Sequence, residues 1–421
     1  MVVIKSVSAK EIFDSRKEKT ILVSIKTNVG VLSASSPTGK STGKYEVKSY
    51  KKNIEQDIKT IKKFSDYFSN EVIENFNDLR RIEDIINGFV GANTLFALES
   101  AVLKAVAKKK KKEIWELINL DAKNFPRLVG NCIGGGKHSK INKTSKAYTN
   151  TLTKGIKEVQ VPLRQDPEKS STKIFTEGKK PDFQEFLLIP NLKSVKENFE
   201  KNKKIKNNLQ NTLKRNDKNF KSKKNDENAW ATSLNEKEVF EILNTLKIPI
   251  GTDIAASTFY KRKKYNYQNP MIKRSIDEQL GYIGNLIKNF NLFYIEDPFD
   301  EGDFESFSKL LKKFPKKLIV GDDLTVTNYK RLKKAIEMKS INAIIVKPNQ
   351  TGSLLEVREV CDLAKKENIK IIFSHRSGET EENILADLAF GFQADFFKSG
   401  ITGKEREIKI KRLIEIEESL R

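Results

Sequence analysis

The sequence predicts an α/β protein in which a closed βα barrel follows a smaller α+β domain. Three observations carry this. Six short apolar runs recur in the C-terminal half, and each ends on a chemically reactive residue. Segments with helical spacing lie between them. The first 37 residues instead hold β-rich runs separated by short polar turns.

The N-terminal runs VVIKSVSAKEIFD, KTILVSIKTN and GVLSASSP predict a three-stranded antiparallel meander. In NTLFALESAVLKAVAKKKKKEIWELI, residues Leu95, Leu98, Val102 and Val106 fall on one helical face. The lysine run at 108–112 then marks the exposed end of that helix. Pro126 punctuates the chain and sets the expected boundary. Residues 1–125 are read as a capping α+β domain with helices, and 126–421 as the barrel.

The six barrel runs are IPIGTD ending at Asp253, LFYIE at Glu296, KLIVGD at Asp322, AIIVK at Lys347, IIFSH at His375 and ADFFK at Lys398. Successive ends are 43, 26, 25, 28 and 23 residues apart. About 25 residues suits one strand, one helix and two loops. Continuous apolar strands alternating with helices predict a parallel sheet covered on its outer face. Closed into a barrel, such a sheet gathers its strand ends at one rim, where barrel active sites sit.

Composition excludes several classes. The 421 residues carry 79 Lys+Arg against 56 Asp+Glu, a net charge of +23, and 38% are hydrophobic. That is enough apolar content for a core, so a mainly disordered chain is excluded. The longest apolar stretches reach only strand length, which argues against a membrane span. Two cysteines, Cys132 and Cys361, make neither a disulfide framework nor a thiolate metal site. With no basic-then-apolar leader, a cytoplasmic location is expected. Residues 137–224 hold 23 Lys/Arg against 9 Asp/Glu, more than half the excess charge. Arg is scarce there and aromatics rarely interleave, so a solvated surface is expected and a nucleic-acid partner is not.

The strand-end residues imply chemistry. Asp253, Glu296 and Asp322 would converge from successive strands. Three carboxylates without thiolates favour a hard cation, and Mg²⁺ is the usual one where substrate adds oxygens. Lys347 and Lys398 would face them. A divalent ion and a second lysine disfavour an ammonium. Bringing a lysine from about 10.4 to near 7 takes roughly 4–5 kcal/mol. Such an amine serves as a general base.

Beyond these residues, longer motifs make the chain resemble the enolases, the phosphopyruvate hydratases, as a divergent, archaeal-looking member. They are FDSR (13–16), PTGKSTGKYE (37–46), GNCIGGGKH (130–138), QEFLLIP (184–190), IEDPF (295–299), GDDLTVTN (321–328), VKPNQTGS (346–353) and SHRSGETEE (374–382). A lysine base beside one or two Mg²⁺ is already the established pattern of enolase-superfamily sites. The resemblance implies the enolase-type (TIM-like) barrel and Mg²⁺-dependent, reversible dehydration of 2-phosphoglycerate to phosphoenolpyruvate. It implies two Mg²⁺ per site with substrate bound: Asp253, Glu296 and Asp322 hold the first, and Ser41 helps hold the second. Lys347 is the implied base, with Lys398 stabilising the developing charge. Glu227 is the implied acid for the departing hydroxyl, assisted by Glu185. Arg376 and Ser377 match the phosphate grip. His138, His375 and Gln184 complete the substrate site, which Glu185, Glu296, Asp322, Lys347 and Lys398 also line. Both histidines of the chain fall inside these motifs. Enolases are typically dimers or octamers, so a homo-oligomer is implied.

Departures from the pattern define what the structure must answer. The acid stretch reads Asp226-Glu227-Asn228-Ala229, where enolases have two glycines after the glutamate. Lys40 and Thr38 replace the usual Ala and Ser, so Lys40 is expected either near the phosphate or in water. Pro348 follows the base. Forty-five residues separate His138 from Gln184, where enolases need about a dozen. The segment 141–180 is accordingly read as an inserted flexible loop. Beyond it, Val195, Phe199, Ile205 and Leu209 predict an amphipathic surface helix. Two other functions remain open at this point: an enolase-like enzyme for another carboxylate, or a non-enzymatic basic scaffold that binds nucleic acid.

Overall fold

The structure is a computed structural model and describes residues 1–40, 43–138 and 179–420. Ser41 and most of the 141–180 insertion lie outside the described residues, as does the side chain of His138.

Strands β1 (Val2–Phe13), β2 (Lys19–Thr27) and β3 (Gly30–Ser35) form the expected antiparallel meander. In β2, Ile21, Val23, Ile25 and Thr27 alternate inward, the period-2 signature of a sheet with one covered face. After α1 (Ile54–Phe64), β4 (Val72–Ile73) adds a fourth strand to the free edge of β1. Two residues are too few for periodicity to reveal. Helices α2 (Leu79–Ile86) and α3 (Ala92–Lys110) complete this domain.

Leu95, Leu98, Val102 and Val106 of α3 are buried as their spacing predicts. The burial extends around the helix, to Asn93, Glu99 and Ser100. The sheet covers one side, and the barrel side meets Glu99, whose Oε2 accepts the Leu354 amide at 2.7 Å. Burial, then the nearby Glu83, pushes the Glu99 carboxyl well above its usual range. Full exposure comes at the lysine-rich end, and Lys104 is half-buried.

After α4 (Ile114–Ile118) comes the barrel. Its strands are β5 (Arg127–Gly134), β6 (Glu185–Leu188), β8 (Ile250–Asp253), β12 (Tyr294–Glu296), β13 (Leu318–Gly321), β14 (Ala343–Val346), β15 (Lys370–Ser374) and β16 (Phe396–Lys398). Pairing of β16 with β5 closes the ring. The short β7 (Trp230–Ala231) attaches to β5, and β9 (Tyr260–Lys261), β10 (Lys264–Gln268) and β11 (Met271–Arg274) form a separate small sheet. The barrel sheet is not parallel throughout. β6 runs antiparallel to both β5 and β8. The six runs that set the sequence expectation all lie in the parallel part, so this reversal carried no signal there.

Helices α5 (Val195–Asn216), α6 (Glu236–Asn244), α7 (Ile276–Phe290), α8 (Phe304–Lys313), α9 (Tyr329–Glu337), α10 (Leu354–Lys366), α11 (Ile384–Gly391) and α12 (Lys404–Ser419) follow. In α5, capped by Ser194, the predicted residues Val195, Phe199, Ile205 and Leu209 are buried. The lumen holds its own apolar cluster, including Leu187, Tyr294, Val320, Ala343, Ile345, Ile372 and Phe396. Their strand neighbours Ile344, Val346 and Ile371 pack into the larger core outside. Burial on both faces explains why these strands read as unbroken apolar runs. No helix among the described residues is long and apolar enough to cross a membrane.

Because α3 is enclosed on two sides, Leu98→Ala should destabilise the protein by about 2–5 kcal/mol. Denaturant unfolding measures this; an unchanged midpoint would place Leu98 outside the core.

Candidate active site

Strand parity builds the site. Side chains two residues apart share a face, so the residue two positions past a lumen-facing apolar residue also faces the barrel axis. Tyr294 leads to Glu296, Val320 to Asp322, Ile345 to Lys347 and Phe396 to Lys398. Because β6 runs the other way, its first residue is the one at this rim. Leu187 leads back to Glu185, which pairs with Asp253 in register. One mouth thus receives reactive groups from both strand directions, and Glu185, Asp253, Asp322, Lys347 and Lys398 line one cleft there.

Lys398 lies at the centre of this mouth. Its Nζ is 2.8 Å from Glu296 Oε2 and 3.2 Å from both Asp253 Oδ2 and Glu185 Oε2. Burial alone would lower its pKa, but the carboxylates of Glu185, Glu296 and Asp253 outweigh burial and hold the ammonium well above its ordinary value. Glu296 is fully buried, and burial together with Asp253 pushes its carboxyl up to about 8. Tyr294 donates its hydroxyl to Glu296 Oε2 at 2.6 Å.

Lys347 pairs with Asp322. Burial works to depress this lysine, yet Asp322 prevails and its pKa is raised. The expected depression is therefore not present where only protein groups surround the amine, because its immediate neighbour is an anion. Pro348 opens a short turn, and Lys347 is extended, the conformation that a following proline favours. The proline is accommodated.

Two further acids stand here that sequence reasoning did not single out. Asp297 accepts the amides of Asp322 at 3.0 Å and Asp323 at 2.7 Å. Carboxylate oxygens of Asp297, Asp322 and Asp323 all lie within 4.8 Å of one another. Burial, then Asp323, pushes Asp297 well above its usual range. Asp253, Glu296 and Asp322 reach the same mouth, although two lysines bridge them and the tightest acid triplet is the neighbouring one. The mutual repulsion among Asp253, Glu296 and Asp322 that raises Glu296 is what a bound cation relieves. Clustered buried oxygen donors without thiolates fit Mg²⁺.

In the same cleft, Glu185, Glu227 and His375 bring ligand-type atoms within 4.8 Å of one another. Burial, then Glu227, pushes the Glu185 carboxyl well up, against the pull of Lys398. Two carboxylates this close do not both ionise readily, which favours a proton held between them. Asn131 donates to Glu227 Oε2 at 3.0 Å, and His375 Nε2 lies 3.9 Å from the same oxygen. Burial lowers His375 well below its usual value, so the imidazole is neutral. Gln184 donates to Asp253 Oδ2 at 3.2 Å. The lost glycines are accommodated. Asn228 sits at φ +62°, the left-handed region that asparagine tolerates best after glycine, and Ala229 is fully buried.

Arg376 is buried, with Nη2 2.9 Å from Glu46 Oε2 and Nη1 donating to Asn349 Oδ1 at 3.3 Å. Ser377 Oγ accepts the Lys40 amide at 2.8 Å. The Lys40 side chain takes neither expected course and pairs with Asp226. Glu46 ends the PTGKSTGKYE motif, so its sequence signal was present but its direction was not.

Comparison with known proteins agrees. The family described as "Enolase, C-terminal TIM barrel domain" matches residues 175–421, and "Enolase, N-terminal domain" matches 4–118. The chain belongs to the enolase family. An enolase of Methanosphaera stadtmanae is 32% identical over 99% of this chain and 97% of its own. One from Pyrobaculum aerophilum is 31% identical over 97% and 94%, and one from Archaeoglobus fulgidus 31% over 99% and 98%. The stretch left between the two enolase domain matches, 119–174, contains most of the insertion after His138.

A β-carbon on Gly39 would fall 2.0 Å from Arg376 Nη2. Gly39→Ala should therefore displace the guanidinium and raise KM for a phosphorylated substrate on the order of tenfold or more. An unchanged KM would show that Arg376 is not held by this contact.

Proposed function

We propose that the chain catalyses the reversible dehydration of 2-phospho-D-glycerate to phosphoenolpyruvate, in the cytoplasm and as a homo-oligomer, a dimer or octamer. The observation that carries this reading is that one cleft is lined by an amine, Lys347, and by a close carboxyl pair, Glu185 and Glu227, in which Glu185 is pushed well above its usual range. Removing a proton from one carbon and water from the next needs a base and an acid on different sides of the substrate.

Once it has given up its own proton, which a divalent cation held by the neighbouring acids would favour, Lys347 accepts the proton from C2. Glu227 gives its proton to the departing 3-hydroxyl, with Glu185 sharing that proton and Asn131 fixing the Glu227 oxygen at 3.0 Å. Lys398 places a fixed positive charge at the mouth, against the charge that collects on the substrate carboxylate. Arg376 and Ser377 grip the phosphate; the planar fork of the guanidinium suits its oxygens. His375, His138 and Gln184 shape the remaining substrate surface. Asp253, Glu296 and Asp322 would hold one Mg²⁺, and Ser41 would contribute to a second with substrate bound. The cation supplies Lewis-acid charge toward the substrate carboxylate. Glu296, Asp322 and Glu185 thereby also border the substrate.

Spectrophotometry of phosphoenolpyruvate formation tests this. Wild-type protein with Mg²⁺ should turn over, and a chelator should stop the reaction until Mg²⁺ is restored. Lys347→Ala should lower kcat by roughly 10²–10⁴-fold or more. Mg²⁺ binding in that variant should stay largely intact. A folded, Mg²⁺-loaded wild type that leaves 2-phosphoglycerate unchanged would refute the assignment.

A further inference from the structure

Two departures from the enolase pattern, Lys40 and the turn at 226–229, meet in space. Thr38 and Gly378 exchange backbone hydrogen bonds at 2.7 and 2.9 Å, and the Lys40 amide donates to Ser377 Oγ at 2.8 Å. The main chain at 38–40 is thus fastened along the Arg376–Ser377 segment. From there the Lys40 side chain crosses to the acid turn, where its Nζ pairs with Asp226 Oδ2.

The turn that receives it behaves as a unit. Asn225 Oδ1 accepts the amides of Glu227 at 3.0 Å and Ala229 at 2.9 Å, and Asn225 O accepts the Asn228 amide at 3.0 Å. A force on Asp226 is therefore passed to Glu227. A second link joins the same two segments. Arg406, fully buried, donates from Nη2 to Ser377 O at 3.0 Å and to Asp226 O at 3.4 Å. The Lys40–Asp226 pair is only about one-fifth exposed, which shields it from the screening that weakens surface pairs.

We propose that Lys40 is a positioning residue that clasps the phosphate-side segment to the acid turn and so sets where the Glu227 carboxyl stands. This rests on Glu227 being the acid of the dehydration. Lys40 itself touches no reacting atom. It acts through Asp226, and its effect falls on kcat.

Steady-state kinetics on Lys40→Ala, Asp226→Asn, the double variant and the charge-swapped pair Lys40→Asp with Asp226→Lys provide the test. Amide exchange at 225–229 accompanies them. Each single variant should lose kcat on the order of tenfold, because small misplacements of a catalytic group are costly. KM should move by less than about twofold, the mark of an effect confined to the chemical step. The double variant should be no worse than the poorer single one, and the swap should recover part of the loss. Exchange at 225–229 should rise in both single variants. Additive losses, wild-type kcat in either single variant, or a KM effect in Lys40→Ala alone would overturn the clasp. If wild type showed no turnover, the enolase reading would fail separately. Unchanged exchange in both single variants would then refute the clasp without kinetics.

Discussion

The buried ammonium of Lys398 lies among carboxylates drawn from three other strands, Glu185 on β6, Asp253 on β8 and Glu296 on β12. Each of these groups is almost wholly removed from water. Charges in such a place persist only when paired, and removing one partner leaves the others stranded at a cost of several kcal/mol. The tie also spans the point where β16 meets β5 and the ring closes. Closure brings the last strand of the barrel to acids that come much earlier in the chain. The same closure places Lys347 and the Glu185–Glu227 pair in one cleft.

The reversed strand β6 follows from this constraint. A barrel with every strand parallel presents only C-terminal strand ends at its working rim. Reversing β6 presents an N-terminal end there, so Glu185 and the preceding Gln184 enter beside Asp253. The acid wall is completed by a turn that enolases usually build with glycine and this chain builds with Asn228. Asn228 takes a positive φ there, and the side-chain oxygen of Asn225 ties the turn together.

Much of this was legible in the sequence because the barrel strands are short and buried on both faces. AIIVK and ADFFK each put a lumen-facing apolar residue two positions before a lysine, and that spacing alone aims the lysine inward. Other features left weaker marks. β4 has two residues and no period. β6 follows the insertion, where the sequence offers little apolar periodicity to announce a crossover. Asp297 and Asp323 sat beside residues already singled out, yet adjacency on a strand points neighbours to opposite faces. It took the loop geometry, with Asp297 at φ +43°, to bring both to the mouth. Lys40 was visible as a departure, but its partner Asp226 lies 186 positions away. No local rule connects them.

If acids far apart in sequence form one cation-holding rim, Mn²⁺ titration monitored by electron paramagnetic resonance will detect it without relying on turnover. Wild-type protein should bind Mn²⁺ stoichiometrically in the absence of substrate. Asp253→Asn, Glu296→Gln and Asp322→Asn should each weaken that binding by at least roughly tenfold while the fold survives. Wild-type protein that takes up no Mn²⁺, or amide variants that bind as the wild type does, would contradict the account.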